Sequence, residues 1–494
     1  MTGNILSGDK RTLKDIAPFL ISGFIAMFFA MAVMRSFLYI SIALMALYFL
    51  VLLFMGIRGL NIGYLTLVFS LPLVLFIPRG MIPANQLYLQ YNLRFIFYLG
   101  IFLLWGALVL RKKIRLDPIN DNIVFVLFFF ILMEIISMMY FRGINIPEFR
   151  DSFAFQDIRD QIMSLIMFLL TISLCNNKES IKKTILVLSA SAPIVIGIGL
   201  LEWALNYAIF SPRAILLQEF TQVSSTFWDP NHLSRYLVIL ILLYLPFYLY
   251  SAKKNIWLFL LSLSSLILLP LTKSVSGFIS LALGFLLILF NIRYYIKREK
   301  EVYAGGEKIT PVVFIWFALI IVFALMGAWI LSQASIYSEL IFHKISAIEG
   351  SARQNMDLAA LEMFRKYPLF GVGFSNYSIL YSSFNPGLNF WGMGGTPIIH
   401  NSFMSVASEL GIAGLILLLI IYVYLGKTAL IDGRNIRDDF LRRTQISLGA
   451  IWIALIVNSF MYFKFFEDPK VWLVAGMIIS INRILISEHR SIKE

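Results

Sequence analysis

One histidine of the chain opens an apolar run that is unusually rich in polar side chains. His400-Asn401 is followed by Ser402, Ser405, Ser408 and Glu409, and then by Gly411-Ile412-Ala413-Gly414. An imidazole exists in both protonation states near neutral pH, so His400 can take a proton from a hydroxyl or orient it. Arg353 opens an amphipathic stretch that ends at Lys366 and runs into Tyr367-Pro368-Leu369-Phe370-Gly371-Val372-Gly373-Phe374-Ser375-Asn376-Tyr377. Six further ionisable residues, Arg94, Glu134, Glu202, Arg235, Lys273 and Glu409, interrupt long apolar runs. Such residues are costly in a bilayer and mark sites by default, although a buried ion pair that only joins helices accounts for any one of them equally well. Guanidinium and ammonium groups can hold a phosphate and stabilise the charge that grows on it without a metal ion. The chemistry on offer is therefore proton transfer at His400 beside cations that stabilise a departing anion.

The elements that carry these residues must lie in a membrane. The 494 residues are 59% hydrophobic and 14% charged, against about 25% charged in an average soluble domain. The mean hydropathy is +0.82, and the apolar residues come in runs close to the ~20 needed to cross a hydrocarbon core. Lipid satisfies no backbone amide, and strict alternation is missing, so the spans are helices and not barrel strands. Fourteen are expected, near 16–34, 36–56, 62–78, 92–110, 121–140, 159–175, 184–209, 232–251, 256–272, 275–296, 311–332, 401–425, 444–464 and 471–487. The first three are crowded, so the expectation is an all-α polytopic bundle of about 12–14 spans. The first apolar run leads into a second one instead of a cleavage site, so no removable leader is expected.

Charge sets the orientation. With the N-terminus inside, most of the 41 Lys and Arg fall on alternate loops, from Lys10-Arg11 through Arg111 to Arg115, Lys253-Lys254 and Lys427 to Arg443. That is the positive-inside pattern, with both termini cytoplasmic. The formal charge of +13 is thus explained by topology; no basic stripe with interleaved aromatics suggests nucleic acid. One loop of about 65 residues breaks the economy of the rest, and long ordered loops tend to be functional. The expected organisation is helices 1–11 over residues 1–332, a large extracytoplasmic loop over 333–399, and helices 12–14 over 400–494. On this topology the intramembrane charges gather in the outer half, a polar zone suited to a lipid head group. Helical spacing also puts His400, Met404, Ala407, Gly411 and Gly414 on one stripe, whose small residues suit close helix packing.

This arrangement resembles the O-antigen ligase and polymerase superfamily. The resemblance rests on an Arg that opens a loop helix (Arg353), a Pro-x-x-Gly-x-Gly turn (Pro368, Gly371, Gly373), and His-Asn-x9-Gly-x-x-Gly at the start of a span (His400-Asn401, Gly411, Gly414). It covers Arg353 to Gly414, within a core region of 335–425. Phe227-Trp228-Asp229-Pro230-Asn231-His232-Leu233 is similar to the family's Pro-Asn element at a span start. Leu271-Thr272-Lys273-Ser274-Val275-Ser276-Gly277 stands where the family usually has a Ser-Arg or Thr-Arg pair; here Val275 takes the Arg position and Lys273 lies two residues earlier.

What the resemblance implies is a bacterial membrane glycosyltransferase of the C-type architecture in the cytoplasmic membrane. Its donor would be an undecaprenyl-diphosphate-linked glycan, and its acceptor a saccharide or glycolipid. His400 and Arg353 would be catalytic; Lys273, Arg235, Asn401 and Glu409 would bind the diphosphate or the glycan. Direct displacement would invert the anomeric centre. No Asp-x-Asp occurs in an outer loop, so no metal or other cofactor is expected. A transporter or flippase of lipid-linked glycans is the rival, but it predicts pseudo-symmetric halves and short loops. A scaffold needs no charge in the bilayer. The single cysteine, Cys175, rules out an intramolecular disulfide and reads as small core filler.

Overall fold

The computed structural model describes residues 38–74, 87–114, 122–145, 152–210, 222–227, 229–249, 256–302, 351–384, 399–431, 436, 438–461 and 465–493. Every regular element among them is an α-helix. In chain order these are α1 (Leu38–Met55), α2 (Ile57–Ser70), α3 (Leu87–Leu110), α4 (Asn122–Asn145), α5 (Ser152–Leu174), α6 (Lys178–Leu205), α7 (Pro230–Leu249), α8 (Ile256–Leu271) and α9 (Val275–Val302). After the segment 303–350 come α10 (Ser351–Lys366), α11 (Tyr377–Phe384), α12 (Ser402–Leu430), α13 (Asp439–Ser459) and α14 (Pro469–Lys493). Twelve of the fourteen expected spans overlap these helices, with ends that differ by up to eight residues; 16–34 and 311–332 lie outside the described residues. Among the described residues four helices are long and apolar enough to cross a membrane: α6, α12, α13 and the Pro469–Ser487 part of α14. Met45–Met55, Arg94–Leu110, Ile123–Met138, Ile256–Leu271 and Val275–Asn291 are shorter apolar helices. The chain is a polytopic helical membrane protein.

Its outer surface has the signature of a bilayer. Phe128, Phe129, Leu286 and Val423 are each more than half exposed, which water would penalise and acyl chains accept. Between helices, small residues allow close approach. The α-carbon of Gly284 on α9 lies where a methyl would come 3.1 Å from the Ala450 carbonyl of α13. At Gly476 on α14 a methyl would come 2.7 Å from Thr171 Cβ of α5. A cluster of Tyr422, Trp452, Phe465 and Phe466 fills the space between α12, α13 and α14, with Trp452 Nε1 donating to the Tyr422 carbonyl at 3.2 Å.

The N-terminal ends of α6 and α13 lie side by side. Asn177 caps α6, accepting from Ser180 N at 2.9 Å, and Asp438 caps α13, accepting from Leu441 N at 2.9 Å. Lys178 Nζ meets Asp438 Oδ2 at 2.6 Å, tying the two caps to each other. Burial alone would raise the Asp438 carboxyl, but the hydrogen bond from Lys178 and the capping amide lower it below the usual carboxylate range.

An Asp438→Ala variant should lose about 1 kcal/mol of stability through the missing cap, while Asp438→Asn retains most of it. Thermal unfolding of the detergent-solubilised protein checks this, and equal midpoints for wild type and Asp438→Ala would refute it. The carboxylate's share of the stability is present above its unfolded pKa of about 4 and fades as pH falls below that value.

Candidate active site

The core of the site is a break in α12. Gly411 has φ 65° and ψ −159°, a conformation essentially reserved for glycine, and the helix is interrupted there. In an unbroken helix Ile412 N would donate to the Ser408 carbonyl and Ala413 N to that of Glu409. Instead Ile412 N donates to Pro368 O at 2.8 Å and Ala413 N to Leu369 O at 3.3 Å. The two released carbonyls are taken by the same segment: Val372 N donates to Ser408 O at 2.8 Å and Gly373 N to Glu409 O at 2.9 Å. The turn Pro368–Gly373 is thus inserted, backbone to backbone, into a broken membrane helix.

Local sequence explains both partners. Pro368 ends the helical run of α10, since it disfavours helical geometry in the residue before it. Gly371, at φ 67°, lies so close to the Glu409 carbonyl that an added methyl would overlap it. At Gly411 a methyl would come within 2.5 Å of the Leu369 carbonyl carbon. These contacts correct one expectation from spacing. Helix α12 starts at Ser402, so His400 precedes it, and Gly411 packs against the loop backbone and not against a second helix. The stripe from His400 to Gly414 is therefore not one continuous helical face.

The inserted turn fixes α10 and α11 beside the start of α12. Met356, Ala359, Ala360 and Met363 of α10, Val372 of the turn, Tyr377 and Tyr381 of α11 and Ile399 share one small apolar core. Ile399 immediately precedes His400, and Met356 lies one turn after Arg353. Arg353 occupies the first turn of α10; its side chain lies outside the described residues. His400 is half-buried and engaged. Asn401 is the N-cap of α12, its Oδ1 accepting from Phe403 N at 3.0 Å and Met404 N at 3.2 Å. Glu409 Oε1 accepts from Tyr377 N at 3.2 Å.

Beneath the turn lies an acidic group. Ser137 Oγ of α4 accepts from Phe374 N at 3.1 Å, and Ser375 Oγ donates to Asp157 Oδ2 of α5 at 2.7 Å. Glu134, one turn from Ser137, is within electrostatic range of Asp157, Glu409 and Glu467. Gln161, one turn from Asp157, lies beside Glu134; both its amide atoms, and Oε2 of Glu134, are buried without a hydrogen-bond partner.

The cations gather around Asp468. Arg235 of α7 is almost wholly buried, with NH1 3.0 Å from Asp468 Oδ2 and Nε donating to Asn458 Oδ1 at 2.9 Å. Lys470 Nζ reaches the second Asp468 oxygen at 2.8 Å. Burial alone would raise the Asp468 carboxyl; Lys470 and then Arg235 hold it well below the usual carboxylate range. Arg94 donates to Leu71 O at 3.2 Å. Glu202 at the end of α6 accepts from Ile209 N, Ser224 N and Ser225 N at 2.9, 3.1 and 2.7 Å. It organises the chain that enters α7.

The two shorter sequence elements meet. Asp229 Oδ1 accepts from Asn231 N at 2.8 Å and caps α7, and Asn231 Oδ1 accepts from Ser274 Oγ at 2.7 Å. Ser234 Oγ donates to Ser274 Oγ at 2.9 Å. Lys273 is exposed, with φ 52°, in the tight turn between α8 and α9. Val275, the first residue of α9, is exposed too.

Asp468, Lys470, Asn458, Asp157, Gln161 and Tyr377 were not among the residues read as chemical from sequence. One signal was available: Asp468-Pro469 and Asp229-Pro230 are both helix starts with a capping Asp before a first-turn Pro. Asp468 Oδ1 accepts from Lys470 N at 3.0 Å as such a cap does.

Fold and site together define a polytopic membrane protein in which a loop turn is locked into a broken helix beside a histidine. Residues 257–419, about a third of the chain, match the family model described as O-Antigen ligase. The matched region runs from α8 through the inserted turn to the break in α12 and beyond. It supports the O-antigen ligase and polymerase-related superfamily, whose members are glycosyltransferase-like enzymes. Compared with curated proteins, the chain finds no match.

Gly371→Ala and Gly411→Ala should each expel the turn, costing more than about 2 kcal/mol from backbone overlap and strain. Thermal midpoints and membrane yield measure this. A Gly371→Ala protein as stable as wild type would contradict the inserted arrangement.

Proposed function

We propose that the protein transfers a glycan from undecaprenyl diphosphate to a sugar hydroxyl of an acceptor on the outer face of a bacterial cytoplasmic membrane, as an O-antigen ligase-like glycosyltransferase. The observation that carries this reading is the insertion of Pro368–Gly373 at Gly411. It joins the helix that begins at Arg353 to the helix that begins after His400-Asn401, the two parts of the family's motif. The match over residues 257–419 supports the same class.

The donor already carries a good leaving group, so the protein has to hold the diphosphate, stabilise its growing charge and aim a hydroxyl at the anomeric carbon. Arg353 is the main clamp on the diphosphate. Lys273, exposed at the turn before α9, is the second cation. Arg235 is engaged by Asp468 and Asn458 and contributes to the field of the site from within that pair. His400 takes the proton of the acceptor hydroxyl or orients it. Asn401 fixes the backbone beside His400 by capping α12, and Glu409 holds the turn that follows Gly373. The displacement inverts the anomeric centre and uses no metal.

A polymerase that joins repeat units on the lipid carrier uses the same donor and the same residues. Glycan gels from a deletion strain separate the two. Single repeat units left on the acceptor indicate a polymerase, and long chains stranded on the carrier indicate a ligase. A flippase would instead leave the lipid-linked unit on the inner face.

Arg353→Ala and His400→Ala should each lower glycan transfer by more than about a hundredfold while the protein remains in the membrane. Complementation of the deletion strain, read by glycan gel and immunoblot, checks both. Full activity in either variant removes that residue from the mechanism.

A further inference from the structure

Tyr377 links three parts of the site through two hydrogen bonds, one from its backbone amide and one from its side-chain hydroxyl. Its amide donates to Glu409 Oε1 at 3.2 Å, two residues before the break in α12. Its hydroxyl donates to the carbonyl of Met356 at 2.8 Å, one turn after Arg353 on α10. The ring between them is 3% exposed and packs against Tyr381 at 5.9 Å between centroids. Rigid aromatic rings set a fixed spacing between their two ends, which a flexible side chain cannot do. The Met356 carbonyl already belongs to a helix, so the hydroxyl adds a tether without completing the fold.

We propose that Glu409 and Tyr377 form a strut that sets the position of the first turn of α10 relative to α12, and hence of Arg353 relative to His400. Both are positioning residues. Glu409 acts through its acceptor oxygen and not through charge on the substrate, which narrows the binding role expected of it from sequence. The proposal deepens the functional reading above and rests on it for the part that concerns catalysis. The geometric part stands separately. A displacement of about 1 Å between groups that act on one reacting centre costs on the order of a hundredfold in rate.

The test uses the full-length protein in lipid nanodiscs. Spin labels are placed at Leu358→Cys on α10 and Ile416→Cys on α12, both exposed, while the native Cys175 is buried. Tyr377→Phe deletes only the hydroxyl. It should broaden the label-to-label distance distribution and lower kcat at least about tenfold, with a thermal midpoint close to that of wild type. Glu409→Gln keeps an acceptor oxygen and should retain kcat within about threefold with an unchanged pH–rate profile; Glu409→Ala should behave like Tyr377→Phe. A narrow distribution with wild-type kcat in Tyr377→Phe would overturn the strut. So would Glu409→Gln as inactive as Glu409→Ala, since that outcome requires the charge itself. Should Tyr377→Phe not reach the membrane, the two Glu409 variants read the other end of the same strut. If wild type transfers no glycan yet Tyr377→Phe broadens the distribution, the strut stands and the glycosyltransferase reading falls.

Discussion

A helix cannot be broken inside a membrane unless something else takes up its backbone polar groups, because lipid supplies no hydrogen bonds. At Gly411 two amides and two carbonyls of α12 lose their helical partners, each a cost of several kcal/mol if left bare. All four are recovered from one segment, Pro368–Gly373, at 2.8–3.3 Å. Loop and helix are therefore not separable parts. The loop completes the helix, and the broken helix in turn gives the loop its only ordered anchor of this kind among the described residues. The requirement that both backbones approach so closely explains why Gly371 and Gly411 face each other across the joint. The joint also holds the described part of the loop, residues 351–384, against α12.

The buried charges divide by what they touch. Arg235, Asp468 and Lys470 form a chain of two contacts around one carboxylate, with Asn458 holding the guanidinium from the side. Such a triad is expensive to bury and valuable mainly for fixing how α7, α13 and α14 meet. Glu202 spends its two oxygens on backbone amides and shapes a connection. The acidic group under the inserted turn is different in kind. Glu134 and Gln161 keep unsatisfied atoms there, and Glu409 belongs both to that group and to the joint. A single carboxylate thus couples the packing below the turn to the geometry above it.

Sequence made the helices and their approximate ends legible, because apolar runs near membrane length and alternating basic loops are properties of the chain alone. It also made the two halves of the joint visible as Pro368-x-x-Gly371-x-Gly373 and Gly411. What it could not supply was their mutual insertion: continuous apolar residues on both sides of Gly411 read as one helix, and a glycine in such a run reads as a packing surface. The roles of Asn401 and Glu409 were hidden for the same reason. Both look like ligands in an outer polar zone; the structure adds that Asn401 Oδ1 caps α12 and that Glu409 Oε1 accepts from Tyr377 N. Asp468 and Lys470 were passed over because they sit at a span end, where charge is cheap and carries little information.

The departure at Val275 gains a physical reading from the turn before α9. Lys273 sits in the left-handed region between two helices, a conformation held by Thr272 N and Lys273 N donating to the Leu269 and Pro270 carbonyls at 3.1 and 2.9 Å. An arginine at position 275 would start a helix, bound to its axis and rotamers. A lysine two residues earlier lies on the turn itself, with a point charge on a flexible stem in place of a planar fork. Ser274 between them is already committed to Asn231 and Ser234, which holds the turn in place. On the proposed function, the same positive charge would be offered to a diphosphate from a neighbouring position, with less demand on the angle of approach. In that reading, bidentate recognition would fall to Arg353 at the head of α10. The proposed function therefore depends on the placement of that helix, which the inserted turn sets by tying the end of α10 to the break in α12.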